Sequence, residues 1–252
     1  MSREMTNSPI WRRRRRAAPT QDSVPIPPED LRYRVHGSAS GDTVEAYQRM
    51  GRLCAEDIVK TLASAGKKLA DFKNILDFGV GCGRTLRWLA PLAPAAHFYG
   101  SDIDHEAIDW CRTNLDFASF STNAPLPPLP FANGQFDFIY VVSVFTHLDE
   151  SYQFQWLAEL RRVARAGAFV LLTLHGESLF PALPKDMREL AETNGFAFVV
   201  SDFWHGIFPD WYQTTFHSQQ YVSKWYNSFF QVTAHIPQGL ASHQDIVLMQ
   251  KV

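Results

Sequence analysis

The strongest constraint on the fold is a short segment in which an apolar run leads directly into three closely spaced glycines. Residues 75–84 read Ile-Leu-Asp-Phe-Gly-Val-Gly-Cys-Gly-Arg, and residues 84–92 have the spacing of a helix. Glycine adopts backbone conformations with positive φ and lets a ligand approach the main chain closely. A strand, this glycine turn (residues 79–83) and a helix therefore predict a ligand site where a strand ends and a helix begins.

The rest of the chain alternates apolar runs with amphipathic stretches. Strands are predicted at residues 74–78, 97–101, 136–142 and 168–174, and helices at residues 43–69, 84–92, 105–115 and 149–164. Such alternation is typical of parallel strands joined by crossover helices that cover both faces of the sheet. Two final runs, residues 229–236 and 245–250, predict an antiparallel hairpin at the sheet edge.

The N-terminal residues differ in composition from the rest of the chain. Residues 12–16 are five consecutive arginines, and Pro25, Pro27 and Pro28 follow. We expect residues 1–30 to form a disordered, basic and proline-rich arm. Five of the 24 Lys and Arg residues lie in that run, which leaves 19 against 26 Asp and Glu residues, a net charge of −7. This balance argues against a broad nucleic-acid surface.

A second acid follows the glycine turn at an informative distance. Asp102 ends the next predicted strand, 23 residues after Gly79. A carboxylate in that position can accept hydrogen bonds from both hydroxyls of a ribose. The glycines follow the pattern G-x-G-x-G, with Arg84 in place of the third glycine of the dinucleotide fingerprint. The two features together favour a nucleoside-type ligand over a structural turn, and the spacing disfavours NAD or FAD.

Three segments resemble a known family. Residues 75–84 resemble motif I of the class I S-adenosylmethionine-dependent methyltransferases, and residues 100–103 resemble their second motif. Residues 129–140, Leu-Pro-Phe-Ala-Asn-Gly-Gln-Phe-Asp-Phe-Ile-Tyr, resemble the family's lead into the fourth strand. The resemblance covers roughly residues 72–176. It departs from the family at Val80, where the family often has a small or cysteine residue. It favours the bacterial small-molecule type of the family.

The resemblance implies an α/β fold: a Rossmann-like sheet of seven strands, mostly parallel, with an antiparallel last strand and helices on both faces. It also implies S-adenosylmethionine as cofactor. Asp77 would orient the ammonium group of the methionine moiety, and Gly79 and Gly81 would admit that moiety. Asp102 would bind the ribose, and Ile103 would pack on the adenine. The other implied cofactor-binding residues are Gly83, Arg84, Asn123 near the adenine amino group, and Ser143 through its carbonyl.

Two histidines are candidate catalytic residues. Displacement at a sulfonium needs aligned reactants, and no residues here have the spacing of metal ligands, so no metal is expected. His147 and His175 follow the fourth and fifth predicted strands and could each act as general base for a hydroxyl acceptor. A structural role explains His147 equally well, as a cap on the helix that begins near Asp149. The same two alternatives, a catalytic and a structural role, apply to His175.

A long segment after the fifth predicted strand is the expected acceptor side. We expect residues 177–217 to be inserted into a methyltransferase domain that spans residues 31–252. The aromatic stretch 203–216 would form a lid or wall over the acceptor, or else a satellite core. The substrate-contacting candidates are Thr146, Trp204, His205, Phe208, Trp211 and Tyr212. Residues 242–245, Ser-His-Gln-Asp, resemble a segment before the last strand of many bacterial small-molecule methyltransferases, with a structural turn as the simpler role.

The sequence thus predicts a methyltransferase that methylates an oxygen or nitrogen of a small molecule, such as a sugar or specialised metabolite. Three alternatives stay open: an NAD(P)-linked oxidoreductase on a related sheet, a non-enzymatic binding protein that keeps the cofactor fold, and an RNA-directed enzyme that uses the arginine run. Three cysteines without a paired spacing and the absence of an export signal favour the cytoplasm. No apolar run is long enough for a membrane span.

Overall fold

A computed structural model describes residues 24–36, 43–202 and 208–252. The strands are β1 Asn74–Phe78, β2 His97–Asp102, β3 Ala118–Thr122, β4 Phe136–Val141, β5 Ala164–Leu174, β6 Phe196–Val199, β7 Thr214–His217, β8 Gln231–Leu240 and β9 Gln244–Gln250. The helices are α1 Glu29–His36, α2 Val44–Ser64, α3 Leu86–Leu89, α4 His105–Asn114, α5 Glu150–Val163, α6 Lys185–Asn194 and α7 Gln219–Tyr226.

Seven of the strands form one sheet in the order β3-β2-β1-β4-β5-β9-β8. Strands β1 to β5 pair in parallel, whereas β9 runs antiparallel to both β5 and β8. Strands β6 and β7 pair with each other as a second, two-stranded sheet. The predicted fold class is confirmed, with the last strand of the chain inserted next to the edge strand β8.

Both faces of the large sheet are covered by helices. Side chains alternate along β4, so that Ile139 and Val141 enter one core while Phe138 and Tyr140 enter the other. The first core also holds apolar residues of α5 and α7, and the second holds those of α2, α3 and α4. Because helices cover both faces of the parallel strands, β4 is apolar except for the buried Asp137, close to the continuous apolar strand that the sequence indicated.

Side-chain caps determine where several helices begin. Asp104 accepts hydrogen bonds from the first turn of α4, and Asp149 accepts one from the Tyr152 N–H of α5. Ser218 caps α7 through the Tyr221 N–H, as predicted. Each cap satisfies a backbone donor that would otherwise lack a partner in the helix. The caps of α4 and α5 lie directly after β2 and shortly after β4, so they also fix the loops at the carboxyl edge of the sheet.

The N-terminal boundary differs from the prediction. Residues 12–16 lie outside the described residues, but the chain is already packed on the domain at Val24, which is buried beside Cys111 and Leu115. Arg87, itself buried, donates a hydrogen bond to the carbonyl of Pro25 over 2.8 Å. Packing therefore begins before residue 30, because buried partners from α4 and α3 anchor the proline segment.

Three further observations concern the described residues. No helix among them is long and apolar enough to cross a membrane. They contain no group of three or more His, Cys, Asp and Glu side chains arranged to bind a metal ion. The three cysteines are buried as free thiols.

Candidate active site

A cavity of about 560 Å³ opens at the carboxyl ends of the central strands. It brings together most of the residues predicted from the sequence. Those that line it are Asp77, Gly79, Gly81, Arg84, Asp102, Ile103, Asn123, Ser143, His147, His175, Phe208, Trp211 and Tyr212. Trp204 and His205 lie outside the described residues. Elements far apart in the chain meet here because the carboxyl ends of parallel strands share one edge of the sheet.

The glycine turn lines this cavity with the main-chain atoms of Gly79 and Gly81. Gly79 and Gly81 have φ values of 84° and 50°. A Cβ atom on Gly79 would overlap the side chain of Val144, and one on Gly81 would overlap that of Val35. Glycine is therefore required at both positions for conformation and for space.

Two predicted site residues do not line the cavity. Gly83 has a φ of 76°, donates its N–H to the carbonyl of Val80, and leaves no room for a Cβ beside Leu115. Its role is to close the turn. Thr146 is completely buried, and its carbonyl accepts a hydrogen bond from the N–H of Thr215 over 2.8 Å. The prediction that Thr146 contacts the substrate is corrected, since β7 covers it.

Asp102 joins the glycine turn to the start of α4. Its carboxylate accepts hydrogen bonds from the Gly81 N–H over 2.7 Å and from the Asp104 N–H over 2.9 Å. Burial raises the pKa of Asp102 above its ordinary value, against the opposing effect of these donors. Each carboxylate oxygen can accept more than one hydrogen bond. The side chain can therefore hold the turn and still accept hydrogen bonds from hydroxyl groups of a ligand in the cavity.

Asp77 is a buried acid at the end of β1. It accepts a hydrogen bond of 2.8 Å from the hydroxyl of Tyr140, a fully buried residue of β4. Burial raises the pKa of Asp77 to about 8, although the hydrogen bond from Tyr140 acts in the opposite direction. A buried carboxyl group with such a pKa is suited to pairing with a cationic ligand group, which would favour its ionised form.

Asn123, which the resemblance implies lies near the adenine amino group, is held by hydrogen bonds within the protein. Asn123 lies on the cavity wall, but its amide oxygen accepts from the Ser101 hydroxyl and its amide NH₂ donates to the Ala124 carbonyl, both over 2.8 Å. Its backbone N–H donates to the carbonyl of Asp102. These contacts fix the side chain next to Asp102 and Ile103.

Both candidate histidines are held by the segment that contains β7. The Nδ1 atom of His147 lies 2.8 Å from the carbonyl oxygen of Gln213, and that of His175 lies 3.2 Å from the carbonyl oxygen of Thr215. A carbonyl oxygen only accepts, so each ring carries its proton on Nδ1 and its lone pair on Nε2. Burial lowers the pKa of His147 to about 3 and that of His175 to about 4. Both rings are therefore neutral near pH 7.

Aromatic side chains form the wall beside these histidines. Tyr212 stacks on the His147 ring at a centroid distance of 4.1 Å and on Phe208 at 4.4 Å. Trp211 stacks on Tyr152 of α5 at 5.3 Å. The last three residues of the predicted lid, 214–216, lie in strand β7, while the preceding described residues form the loop that faces the cavity.

Sequence reasoning missed several residues of the cavity. They come from α1, α2, the loop after β2, α5 and the start of β9, and include Arg34, Val35, Met50, Cys54, Asp104, Trp156, His243 and Gln244. Arg34 forms ion pairs with Asp104 at 2.9 Å and with Glu106 at 2.5 Å, and Arg84 donates to the Val35 carbonyl over 2.7 Å. Helix α1 therefore covers the glycine turn. Only His243 and Gln244 had a signal in the sequence, namely the segment 242–245.

The family comparison now separates the possible classes of enzyme. Residues 75–167, which contain the glycine turn, Asp102 and β4, match the family model described as "Methyltransferase domain". The chain contains a methyltransferase domain of the class I S-adenosylmethionine-dependent type. The match favours the methyl donor over NAD(P), in agreement with the glycine spacing.

Solved methyltransferase structures have the same fold. A S-adenosylmethionine-dependent methyltransferase from Methanosarcina mazei is 19% identical, with a TM-score of 0.51 over 71% of this chain and 92% of that chain. Magnesium protoporphyrin IX methyltransferase from Synechocystis PCC 6803, solved with bound S-adenosylhomocysteine, is 18% identical, with a TM-score of 0.59 over 88% and 94%. Geranyl diphosphate methyltransferase, in complex with S-adenosylmethionine, is 10% identical, with a TM-score of 0.55 over 79% and 84%.

S-adenosylmethionine is the cofactor of this methyltransferase. The cavity fits such a group in two respects. The glycine turn lines the cavity at Gly79 and Gly81, which have only main-chain atoms to present to a ligand. Two acids of the cavity wall, Asp77 and Asp102, have the chemistry to bind an ammonium group and ribose hydroxyls.

Proposed function

We propose that this methyltransferase methylates an oxygen or nitrogen atom of a small molecule, such as a sugar or specialised metabolite. One observation carries the proposal: a single cavity of about 560 Å³ contains the glycine turn, both acids, the two histidines and the aromatic wall. A cavity of this size suits a small ligand. The acidic balance of the chain outside the arginine run supports a small acceptor over a nucleic acid.

The proposed roles of the residues follow from their positions. Asp77 pairs with the ammonium group of the cofactor, Asp102 binds its ribose, and the turn at Gly79 and Gly81 lies against it. The cofactor supplies the methyl group as an electrophilic sulfonium. The neutral rings of His147 and His175 accept a hydrogen bond from the acceptor at Nε2. Their low pKa values make them weak bases, which suffices because the acceptor atom becomes strongly acidic as it is methylated.

The experiment that tests this function uses the isotopically labelled methyl group. The protein is incubated with labelled S-adenosylmethionine and a cell extract, which is then separated into small compounds, protein and RNA. We expect the label in small compounds, with no loss of turnover in EDTA, since no step needs a metal ion. Label that appears only in RNA would instead support the RNA-directed alternative, and Asp102→Ala protein is the background control.

The wall formed by Trp211 gives a separate prediction. Trp211 lies on the cavity and is partly exposed, so Trp211→Ala should impair use of the acceptor while changing cofactor affinity by less than about twofold. Trp225→Ala is the matched control, because Trp225 is exposed on α7 away from the cavity wall. For both variants, calorimetric titration with S-adenosylhomocysteine measures the cofactor affinity and thermal unfolding measures the stability. If Trp211 belonged to a satellite core instead, its removal would cost about 3–5 kcal/mol of stability with normal specific activity.

A further inference from the structure

The segment 242–245 is a sequence motif that the proposed function leaves without a role. Its last two residues begin β9, and His243 and Gln244 line the cavity. Asp245 is buried, accepts a hydrogen bond of 2.8 Å from Nε2 of His235, and occupies the space that a side chain at Gly176 would need. The motif thus packs against the residues that follow β5.

The topology explains why this segment reaches the site. Strand β9 runs antiparallel to β5, with Asp245 opposite Leu174 and Ile246 opposite Thr173. A strand of this direction begins at the edge where its parallel neighbours end. The first residues of β9 are therefore held by backbone pairing beside the carboxyl ends of β4 and β5, where the cavity lies.

Ser143, which follows β4 on the cavity wall, has an unusual backbone conformation. Its φ is 59°, in the left-handed region that residues with a Cβ atom adopt only when surrounding contacts hold them there. Two side chains supply such contacts. The hydroxyl of the buried Thr173 accepts the Ser143 N–H over 2.9 Å, and the Ser143 hydroxyl lies 2.9 Å from Nε2 and 3.1 Å from Oε1 of Gln244.

We propose that Gln244 is a positioning residue that, with Thr173, holds Ser143 in the left-handed conformation and so directs the main chain after β4 at the methionine end of the cofactor. The inference rests on the proposed function, with Ser143 on the wall of the cavity that would hold the cofactor. The two contacts act on different parts of the residue, since Thr173 holds its N–H and Gln244 holds its side chain. Rotation of the Ser143 φ to the extended region would turn the adjoining peptide groups away from the methionine end of the cofactor.

The first test compares two identical substitutions on the same strand. Gln244→Met keeps the length of the side chain and removes its hydrogen bonds to Ser143. Gln250→Met is the matched control at the far end of β9, where the amide bonds only to the carbonyl of Gly167 among the described contacts. By calorimetric titration with S-adenosylhomocysteine, we expect Gln244→Met to weaken binding about tenfold, as for the loss of one hydrogen bond of a typical size. We expect Gln250→Met to leave binding within about twofold of wild type.

The second test separates positioning from simple packing. Glycine adopts a φ of 59° without strain, so Ser143→Gly should make the conformation independent of Gln244. In the Ser143→Gly background, Gln244→Met should therefore cause no further loss of S-adenosylhomocysteine affinity. An unchanged affinity in Gln244→Met, or an equal loss in both backgrounds, would overturn the proposal.

A cofactor-free measurement keeps this inference distinct from the proposed function. Thermal unfolding of the same four proteins, wild type, the two single variants and the double variant, should show that Gln244→Met lowers the melting temperature in the serine background and not in the glycine background. If the wild type bound no S-adenosylhomocysteine, the proposed function would be contradicted independently of the positioning role. In that case the melting temperatures alone would test the positioning role, and equal changes, or none, in the two backgrounds would overturn it.

Discussion

Asp102→Ala should weaken S-adenosylhomocysteine binding by roughly 10- to 150-fold, which corresponds to the loss of charge-assisted hydrogen bonds worth about 1.5–3 kcal/mol. The Asp102 carboxylate is proposed to accept hydrogen bonds from the two ribose hydroxyls. Within the protein it accepts hydrogen bonds from the Gly81 and Asp104 N–H groups. The Kd from calorimetric titration measures the effect, and circular dichroism shows whether the variant is folded.

The matched control for this variant is Asp109→Ala. Asp109 is a mostly exposed acid on α4 that pairs with Arg112, one turn away, and lies outside the cavity lining. The same change in charge there should leave the Kd within about twofold of wild type, because exposed ion pairs contribute little. A folded Asp102→Ala protein with wild-type affinity would show that Asp102 does not bind the ribose.

Cofactor affinity should rise steeply with pH, because burial raises the pKa of Asp77 to about 8. At pH 6 the carboxyl group is almost fully protonated in the free protein, and pairing with the cofactor's ammonium group requires its ionised form. Between pH 6 and pH 7.5 the ionised fraction, and with it the affinity for S-adenosylhomocysteine, should increase about twentyfold. The rings of His147 and His175, with pKa values of about 3 and 4, stay neutral across this range.

Stability of the cofactor-free protein should change in the opposite direction. A carboxyl group whose pKa is raised on folding contributes stability below its unfolded pKa and loses that contribution as the pH rises through its folded pKa. The Asp77 contribution should therefore decline from about pH 4 to about pH 8. In Asp77→Asn, both the pH dependence of affinity over pH 6–7.5 and this decline in melting temperature should largely disappear. A wild-type Kd that is constant over pH 6–7.5 would contradict the proposed pairing.

The parts of the site that lie in one short segment could be predicted from the sequence. The glycine turn needs positive φ values, which only glycine adopts easily. The glycines in the sequence therefore predict the backbone conformation of the turn. Asp102 follows a buried strand, and the spacing from Gly79 suffices to bring it to the same edge of the sheet. The strands β1, β2 and β4 were likewise predicted because burial on both faces gives each of them a short run of apolar residues.

The parts that depend on distant contacts could not be predicted. Arg34 pairs with Asp104 across 70 residues of chain, and Gln244 contacts Ser143 across 101. Nothing local distinguishes Arg34 from an ordinary surface residue, and the resemblance of residues 242–245 did not indicate that Gln244 contacts Ser143. Strand β3 was missed for a related reason: as an edge strand it alternates apolar and polar residues over only five positions, Ala-Ser-Phe-Ser-Thr, and has no buried run.

The tautomers of the histidines could not be predicted either, because they too depend on contacts with distant residues. The sequence places His147 and His175 after two strands, but the protonated nitrogen of each ring is determined by carbonyl groups of Gln213 and Thr215, which belong to the segment around β7. That segment has no apolar periodicity of its own, because its four-residue strand is too short to show one.

Calorimetric titration of the wild-type protein with S-adenosylhomocysteine, and in parallel with NAD, tests the central claim most directly. We expect one molecule of S-adenosylhomocysteine to bind per chain. At about one hundred times its Kd it should stabilise the fold by about 2.7 kcal/mol, with a matching rise in melting temperature. NAD should cause neither effect. Equal binding of NAD, or no binding of S-adenosylhomocysteine, would contradict the account.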